Sequence, residues 1–408
     1  MSRILFVHNN FPAQFAGLVP VLAGLGHELK AVGAMSAPGV AGVDIERWSP
    51  ARGTNREQFP PAVRAEADII RGFAAADAAE RLRLQGFEPD LIIGHPGWGE
   101  TLFMHEVFPR ARQIVYAEFF YRGRDSDVDF DTEFGTLSRH DHYALHAKSA
   151  TMALAHAQAD ALVSPTRFQG SMLPPRLRAG LNVIHEGVRT DLIQPRETAA
   201  FQLDDGRVLD RSTPVVTFVS RVLEPMRGFH IFMRALPAIL EQAPNAQILI
   251  IGADKPAGYG AAAPQGETWK SFMLKEMGAR LDLARVHFLG EIAYARHLDA
   301  LAVSAAHVYL TYPFTLSWSL VEAMASGCLI VASRTPPVLD ALDDDTALLV
   351  DFFDVERLAS AIVGACADPQ RGAERRAAAR AAAVANFDRE TICVPAWLEL
   401  VGNVLAKP

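Results

Sequence analysis

Val308-Tyr309-Leu310 is followed by Tyr312-Pro313-Phe314-Thr315-Leu316-Ser317-Trp318-Ser319-Leu320-Val321-Glu322-Ala323-Met324-Ala325-Ser326-Gly327 and then by Leu329-Ile330-Val331-Ala332. A short apolar run, a turn with hydroxyl residues, a helical stretch and a second short apolar run make one strand–helix–strand unit of a parallel sheet. The hydroxyl residues at the helix start leave backbone N–H groups at the positive end of the helix dipole, an arrangement that suits a phosphate. Glu322 falls about one turn inside that helix. Ser319-x-x-Glu322 also fits a capping box, in which the carboxylate would serve only the helix end.

Outward from this unit the same alternation fills the chain. In the second half the expected strands are Val215–Ser220, Gln247–Ile251, Val286–Leu289, Val308–Leu310 and Leu329–Ala332, with the Ala/Arg-rich stretch Arg371–Ala385 helical by propensity. In the first half they are Arg3–His8, Glu28–Val32, Asp90–Gly94, Gln113–Glu118, Asp160–Ser164 and Asn182–His185, with helices over Ala62–Arg83 and Ser138–Gln158. Arg189 to Thr213, polar and rich in turn residues, interrupts the alternation and reads as a linker. The expectation is an α/β protein of two Rossmann-like, doubly wound domains. They are residues 1–190 and 191–385, with 386–408 as a C-terminal helix that crosses back to the first domain. Such sheets bind ligands at the carboxyl ends of their strands, so an interdomain cleft is the expected site.

Composition narrows the partners. The 408 residues are 50% apolar and carry a formal charge of -8, enough to bury two cores and without the basic excess of a nucleic-acid binder. Cys328, Cys366 and Cys393 are far apart and form no CxxC, which fits a reducing compartment and three core thiols. The N-terminal Ile4-Leu5-Phe6-Val7 is too short for a signal-peptide apolar region, and no stretch reaches membrane-spanning length. A cytoplasmic protein with no transmembrane segment is expected.

The turns choose among α/β chemistries. His8-Asn9-Asn10-Phe11-Pro12-Ala13-Gln14 lacks G-x-G-x-x-G after the first strand, and no G-x-x-x-x-G-K-[ST] occurs, which disfavours a dinucleotide-dependent dehydrogenase and a P-loop enzyme. Glu322-Ala323-Met324-Ala325-x-Gly327 before a strand resembles the donor-site signature of glycosyltransferase family 4, the group 1 glycosyltransferases of GT-B fold. Phe218 to Gly228, with Arg221 and Arg227, is similar to that family's strand–Arg–loop–basic–Gly segment, and Val286-His287-Phe288-Leu289-Gly290 to its base-proximal strand. Ile184 to Thr190 resembles its hinge-proximal motif, and Ala385-Asn386-Phe387-Asp388 with Trp397 its C-terminal crossing helix.

The resemblance implies a retaining transferase that uses a nucleoside-diphosphate sugar as co-substrate. Arg221 and Arg227 would contact the diphosphate, and Glu322 the ribose. His287 and Phe288 would lie near the base, and Thr315, Leu316, Ser317, Trp318 and Ser319 would complete the anion site through backbone amides. Arg227 stands where the family more often has Lys. Phe314 departs from the pattern, because the family usually carries an acid eight residues before Glu322. The sugar would then be held through Ser317, Ser319 and backbone groups, or the protein would bind nucleotide without normal turnover.

On the acceptor side, His95 and Glu118 fall at or just past strand ends and are the candidate catalytic groups. The acceptor is open among a glycan, a lipid, a protein and a small molecule. No metal is expected. Asp125-x-Asp127-x-Asp129-x-Asp131 contains D-x-D but lacks the Gly and closing Glu of a calcium loop, and reads as a solvated acidic loop. His142 and His146, four apart, read as a polar helix face. The alternatives are a non-catalytic nucleotide-sugar-binding partner of a transferase, or another GT-B enzyme such as an epimerase or a phosphorylase.

Overall fold

The structure is a computed structural model that describes the chain apart from Arg56, Ala257 and Pro408, and the side chains apart also from those of Gln265, Pro369 and Arg371. The chain divides into two compact units. The first comprises residues 1–129, 135–187 and 389–408, and the second residues 130–134 and 188–388.

In the first unit seven strands, β1 (Arg3–Val7), β2 (Glu28–Ala34), β3 (Asp44–Trp48), β4 (Leu91–Gly94), β5 (Arg112–Tyr116), β6 (Ala161–Ser164) and β7 (Leu181–Val183), lie in the order β3-β2-β1-β4-β5-β6-β7. All neighbours are parallel. β1 reads as an unbroken apolar run because both of its faces are covered: Ile4 and Phe6 enter one core cluster, Leu5 and Val7 the other. The first cluster also takes Trp397, Leu400, Val401 and Val404 from the C-terminal helix Val394–Leu405. β3 was not foreseen. Asp44, Glu46 and Arg47 give it a charged composition, and only pairing along β2 makes it a strand at the sheet edge. The helix expected over 138–158 is two helices, Arg139–Lys148 and Ala150–Gln158, meeting at Ser149, whose hydroxyl donates to Tyr121 O at 3.1 Å.

The stretch expected to be a polar linker holds an antiparallel hairpin, β8 (Ala200–Gln202) with β9 (Val208–Asp210). Phe201 and Leu209 from it are buried in a cluster with Val215, Leu249 and Ala300. Two apolar residues in a polar context decide its fate. The second sheet is formed by β10 (Val215–Val222), β11 (Gln247–Ala253), β12 (Val286–Gly290), β13 (Ser304–Tyr309), β14 (Ile330–Ser333) and β15 (Leu348–Val350), parallel throughout in the order β12-β11-β10-β13-β14-β15. Strand order reverses between β1 and β4 in the first sheet and between β10 and β13 in the second, so each unit has its own switch point for a ligand. Among the described residues no helix is long and apolar enough to cross a membrane.

Candidate functional site

In the second unit the carboxyl ends of β10, β11 and β12 and the start of the helix Trp318–Ala325 surround a cleft of about 400 Å³. Arg221, Gly252, Gly290, Glu291, Ile292, Tyr294, His297, Ser317, Trp318, Ser319 and Glu322 are among its lining residues. Glu322 is not half of a capping box. Ser317 is the N-cap, its Oγ accepting from Ser319 N at 3.3 Å, while the Glu322 carboxylate accepts from Tyr294 Oη at 2.7 Å and pairs with His297 Nε2 at 3.0 Å. Both carboxylate oxygens are thereby oriented at the cleft wall. A fixed carboxylate of this kind is an acceptor for vicinal hydroxyls. Tyr294 and His297 were missed by sequence reasoning. Their spacing of three on one helix, Tyr294–Val303, was the available signal.

The two arginines are held differently. Arg221 is exposed and donates to Tyr259 Oη at 2.6 Å. Arg227 closes the short turn Pro225–Arg227 and forks onto the loop before Ser317, with Nη1 donating to Thr311 Oγ1 at 2.9 Å and Thr315 O at 2.8 Å and Nη2 to Thr315 Oγ1 at 3.2 Å. This planar fork is something Lys cannot reproduce. Gly228, which follows, has φ +70° and leaves no room for a side chain, since a Cβ there would lie 2.2 Å from Leu310 Cβ. Phe314 is buried, its ring 5.4 Å from that of Tyr259 and 5.4 Å from the Arg227 guanidinium.

The expected row of free amides from Thr315 to Ser319 needs correction. Ser317 N donates to Tyr309 Oη at 2.8 Å and Ser319 N to Ser317 Oγ, so neither is left for a ligand. Leu316 is buried in the core beneath the helix. His287 and Phe288 also lie outside the cleft lining; His287 Nε2 pairs with Gln247 Oε1 at 2.9 Å, and Lys270 covers the Phe288 ring at 4.8 Å. β12 reaches the cleft instead through its end and the residues after it, Gly290 to Ile292.

In the first unit His95 and Glu118 come together at the ends of β4 and β5. His95 Nδ1 accepts from Gly97 N at 3.1 Å, which leaves the proton on Nε2 to point at Glu118 Oε2, 3.2 Å away. Gln14 Nε2 donates to Glu118 Oε1 at 2.9 Å, and Gln14 Oε1 meets His8 Nε2 at 2.9 Å. Burial would raise the Glu118 pKa, but the hydrogen bonds from His95 and Gln14 outweigh it and hold the carboxyl below its usual range. Burial, with His95 close by, pushes His8 down to about 3. His95 is 3% exposed and Glu118 30%, so the carboxylate faces the open side and the imidazole supports it. Trp98 stacks on His95 at 5.1 Å.

The carboxylates of the acidic run are separated from one another. Asp129 caps the amides of Asp125 and Ser126, and Asp127 is buried with its pKa raised to about 6, chiefly by that burial. Asp131 belongs to the second unit. The reading of this run as solvated throughout is therefore incorrect.

Residues 25–193 match the family described as glycosyl transferase family 4 group, and residues 213–368 that described as glycosyl transferases group 1. The chain belongs to the family 4, group 1 glycosyltransferases. It is similar to a phosphatidyl-myo-inositol mannosyltransferase of Mycolicibacterium smegmatis, 30% identical over 194 residues, which are 45% of each chain. It thus spans a little under half the length of that relative. Among solved structures it resembles a sucrose-phosphate synthase from Thermosynechococcus elongatus, with TM-score 0.72, 16% identity and 100% of both chains covered. It also resembles Anabaena HepE in complex with UDP-glucose, with TM-score 0.68, 16% identity and 98% of this chain and 100% of that one covered. The fold is the GT-B type, two Rossmann-like doubly wound domains.

Every residue named at the second-unit cleft falls within the span that matches the group 1 glycosyltransferases. The sequence resemblance singled out Arg221, Arg227, Ser317 and Glu322 in this region. It did not reveal the side chains that orient them: Tyr294 and His297 come from another helix, and Tyr309 and Thr311, though close in sequence, stand outside the matched motif.

Proposed function

We propose that the chain is a retaining glycosyltransferase that moves a sugar from a nucleoside-diphosphate sugar to a hydroxyl acceptor, without a bound metal, in the cytoplasm. The observation that carries this reading is Glu322, held by Tyr294 and His297 at the wall of a 400 Å³ cleft that also takes in Arg221 and the Ser317 helix start. On this reading the cleft is the donor side, Glu322 accepts from ribose hydroxyls, and Arg221 and Arg227 face the diphosphate. The bond from the sugar C1 to the phosphate oxygen breaks while the acceptor oxygen bonds to C1, and the acceptor proton passes to the leaving phosphate. Negative charge grows on that phosphate, so fixed cations are most useful in the transition state. Glu118 and Trp98 serve the acceptor, Glu118 as a carboxylate kept ionised by His95 and Gln14. Support also comes from the names of similar proteins, one a mannosyltransferase and one a complex with UDP-glucose.

The test is a thermal-shift panel of nucleosides, nucleoside mono- and diphosphates and their sugars, followed by donor hydrolysis or transfer with and without chelator. A nucleoside diphosphate and its sugar should raise the melting temperature more than the monophosphate does, because a ligand of the folded state stabilises it according to its affinity and the arginines add contacts to the second phosphate. Turnover should persist in EDTA and gain nothing from Mn²⁺ or Mg²⁺. If no nucleotide shifts the transition, the donor reading fails. Binding without hydrolysis or transfer would make the chain a nucleotide-sugar-binding partner, and a complete, metal-reversible loss in EDTA would replace the arginine mechanism by a metal-dependent one.

A further inference from the structure

Residues Phe130–Phe134 come from the first half of the sequence but pack within the second unit. Phe130 sets its ring against Tyr312 at 5.2 Å, Phe352 at 5.1 Å and Phe353 at 5.2 Å, and Phe134 against Trp269 at 4.5 Å and His230 at 5.3 Å. Between these two anchors the Asp131 side chain turns inward, while Glu133 stays exposed. Glu133 receives a two-pronged contact from Arg234, at 2.8 and 2.5 Å, and that arginine also binds Glu276. The side chain of Asp131 is 3% exposed. Its Oδ2 accepts from Tyr312 Oη at 2.5 Å and lies 3.1 Å from Nε2 of His230, which is fully buried.

The two partners of Asp131 are placed informatively. Tyr312 opens the loop that runs to the N-cap Ser317 and carries Thr315, the anchor of Arg227. His230 lies three residues after Arg227, in the helix Phe229–Gln242 that begins where Gly228 ends the arginine's turn. Tyr312 N is itself bonded to Met226 O at 3.0 Å, so loop and turn already touch. We propose that Asp131 is the positioning residue of the donor site, a buried carboxylate that ties the loop before Ser317 to the segment bearing Arg227 and so sets the spacing of the phosphate cradle. Asp131, Glu133 and His230 also present atoms within 4.8 Å of one another, a spacing a cation would accept. Arg234 already supplies the positive charge to Glu133, and Tyr312 donates to Asp131 with His230 Nε2 at ion-pair distance, so both carboxylates have partners within the protein. Burial by itself would raise the Asp131 pKa, but the contacts with His230 and Tyr312 overcome it and hold the carboxyl down at about 2.

The inference rests on the cleft being a nucleoside-diphosphate site, and calorimetry separates the two. Asp131→Ala removes both ties, Asp131→Asn keeps an acceptor for Tyr312 without the charge, and Tyr312→Phe removes the hydroxyl alone. Each is titrated with nucleoside, monophosphate and diphosphate, well below its own melting temperature. Asp131→Ala should lose at least tenfold in diphosphate affinity and less than twofold in nucleoside affinity, with Asp131→Asn and Tyr312→Phe intermediate; if Asp131→Ala does not fold, the latter two carry the test. A purely structural Asp131 would lower the melting temperature and leave diphosphate affinity within twofold of the parent in every folded variant, and that result overturns the proposal. A parent chain that binds no diphosphate overturns the donor reading as well.

Discussion

Arg221 and Arg227 carry the same charge and should fail differently when replaced. A charge-assisted contact to phosphate is worth roughly 1.5–3 kcal/mol, so Arg221→Ala should weaken diphosphate binding by about 10- to 150-fold and monophosphate binding less. Arg221→Lys should recover much of this. Arg227→Lys should not, because its fork bridges Thr311 and Thr315 as well as offering charge. Equal recovery by lysine at both positions, read by calorimetry, would refute the distinction. Glu100 makes a separate prediction in the first unit. It is fully buried, neither carboxylate oxygen has a hydrogen-bond partner among the described residues, and burial raises its pKa from 4.5 to about 7. The native state therefore binds the proton more tightly than the unfolded chain does. Stability contributed by Glu100 is greatest below pH 4.5, falls as pH rises to about 7 and then levels off, a total of roughly 3 kcal/mol. Glu100→Gln should be more stable than the parent above pH 7, with the difference vanishing toward pH 4.5. Buried His8 and His156, lowered by burial to about 3 and about 4, act in the opposite direction as pH falls, so the parent-minus-variant difference in denaturant melts is the quantity to measure.

The turn Pro225–Arg227 and the helix that follows it depend on one glycine. At Gly228 the positive φ and the 2.2 Å approach to Leu310 coincide, whereas Gly278, with φ +54°, has nothing within 4 Å of where a Cβ would stand. Gly278→Ala should cost roughly 1–3 kcal/mol of backbone strain alone. Gly228→Ala should cost more than that and also weaken diphosphate binding, since the turn that presents Arg227 has to move; equal costs with unchanged binding would show the turn to be free of the site. Strand and helix identities in this region were legible in advance, because apolar runs buried on both faces and a hydroxyl-rich helix start are local signals. The capping role was not. Whether Glu322 reaches back to the helix end or out to Tyr294 and His297 depends on where the helix Tyr294–Val303 lies, and nothing in Ser319-x-x-Glu322 encodes that.

Across the molecule, the two-unit plan follows from a repeated pattern of short apolar strands and amphipathic helices. That pattern is local chemistry, and together with the short motifs at the strand ends it determined the two parallel sheets, the region of the cleft and the family to which the chain belongs. The tertiary structure decided how the chain is shared between the units. Chain crossings at 187/188 and 388/389 return the helix Val394–Leu405 to the first unit, where Trp397 enters the core beside Ile4 and Phe6. The segment Phe130–Phe134 goes to the second unit, although its sequence reads as the end of an acidic run. The same long-range logic turned β8 and β9 from a linker into a packed hairpin and took His287 and Phe288 out of the cleft. Period and propensity report which residues seek burial, but a charged residue such as Asp131 is buried only when groups from distant parts of the chain, here the Tyr312 hydroxyl that donates to it and His230 3.1 Å away, converge to offset its desolvation.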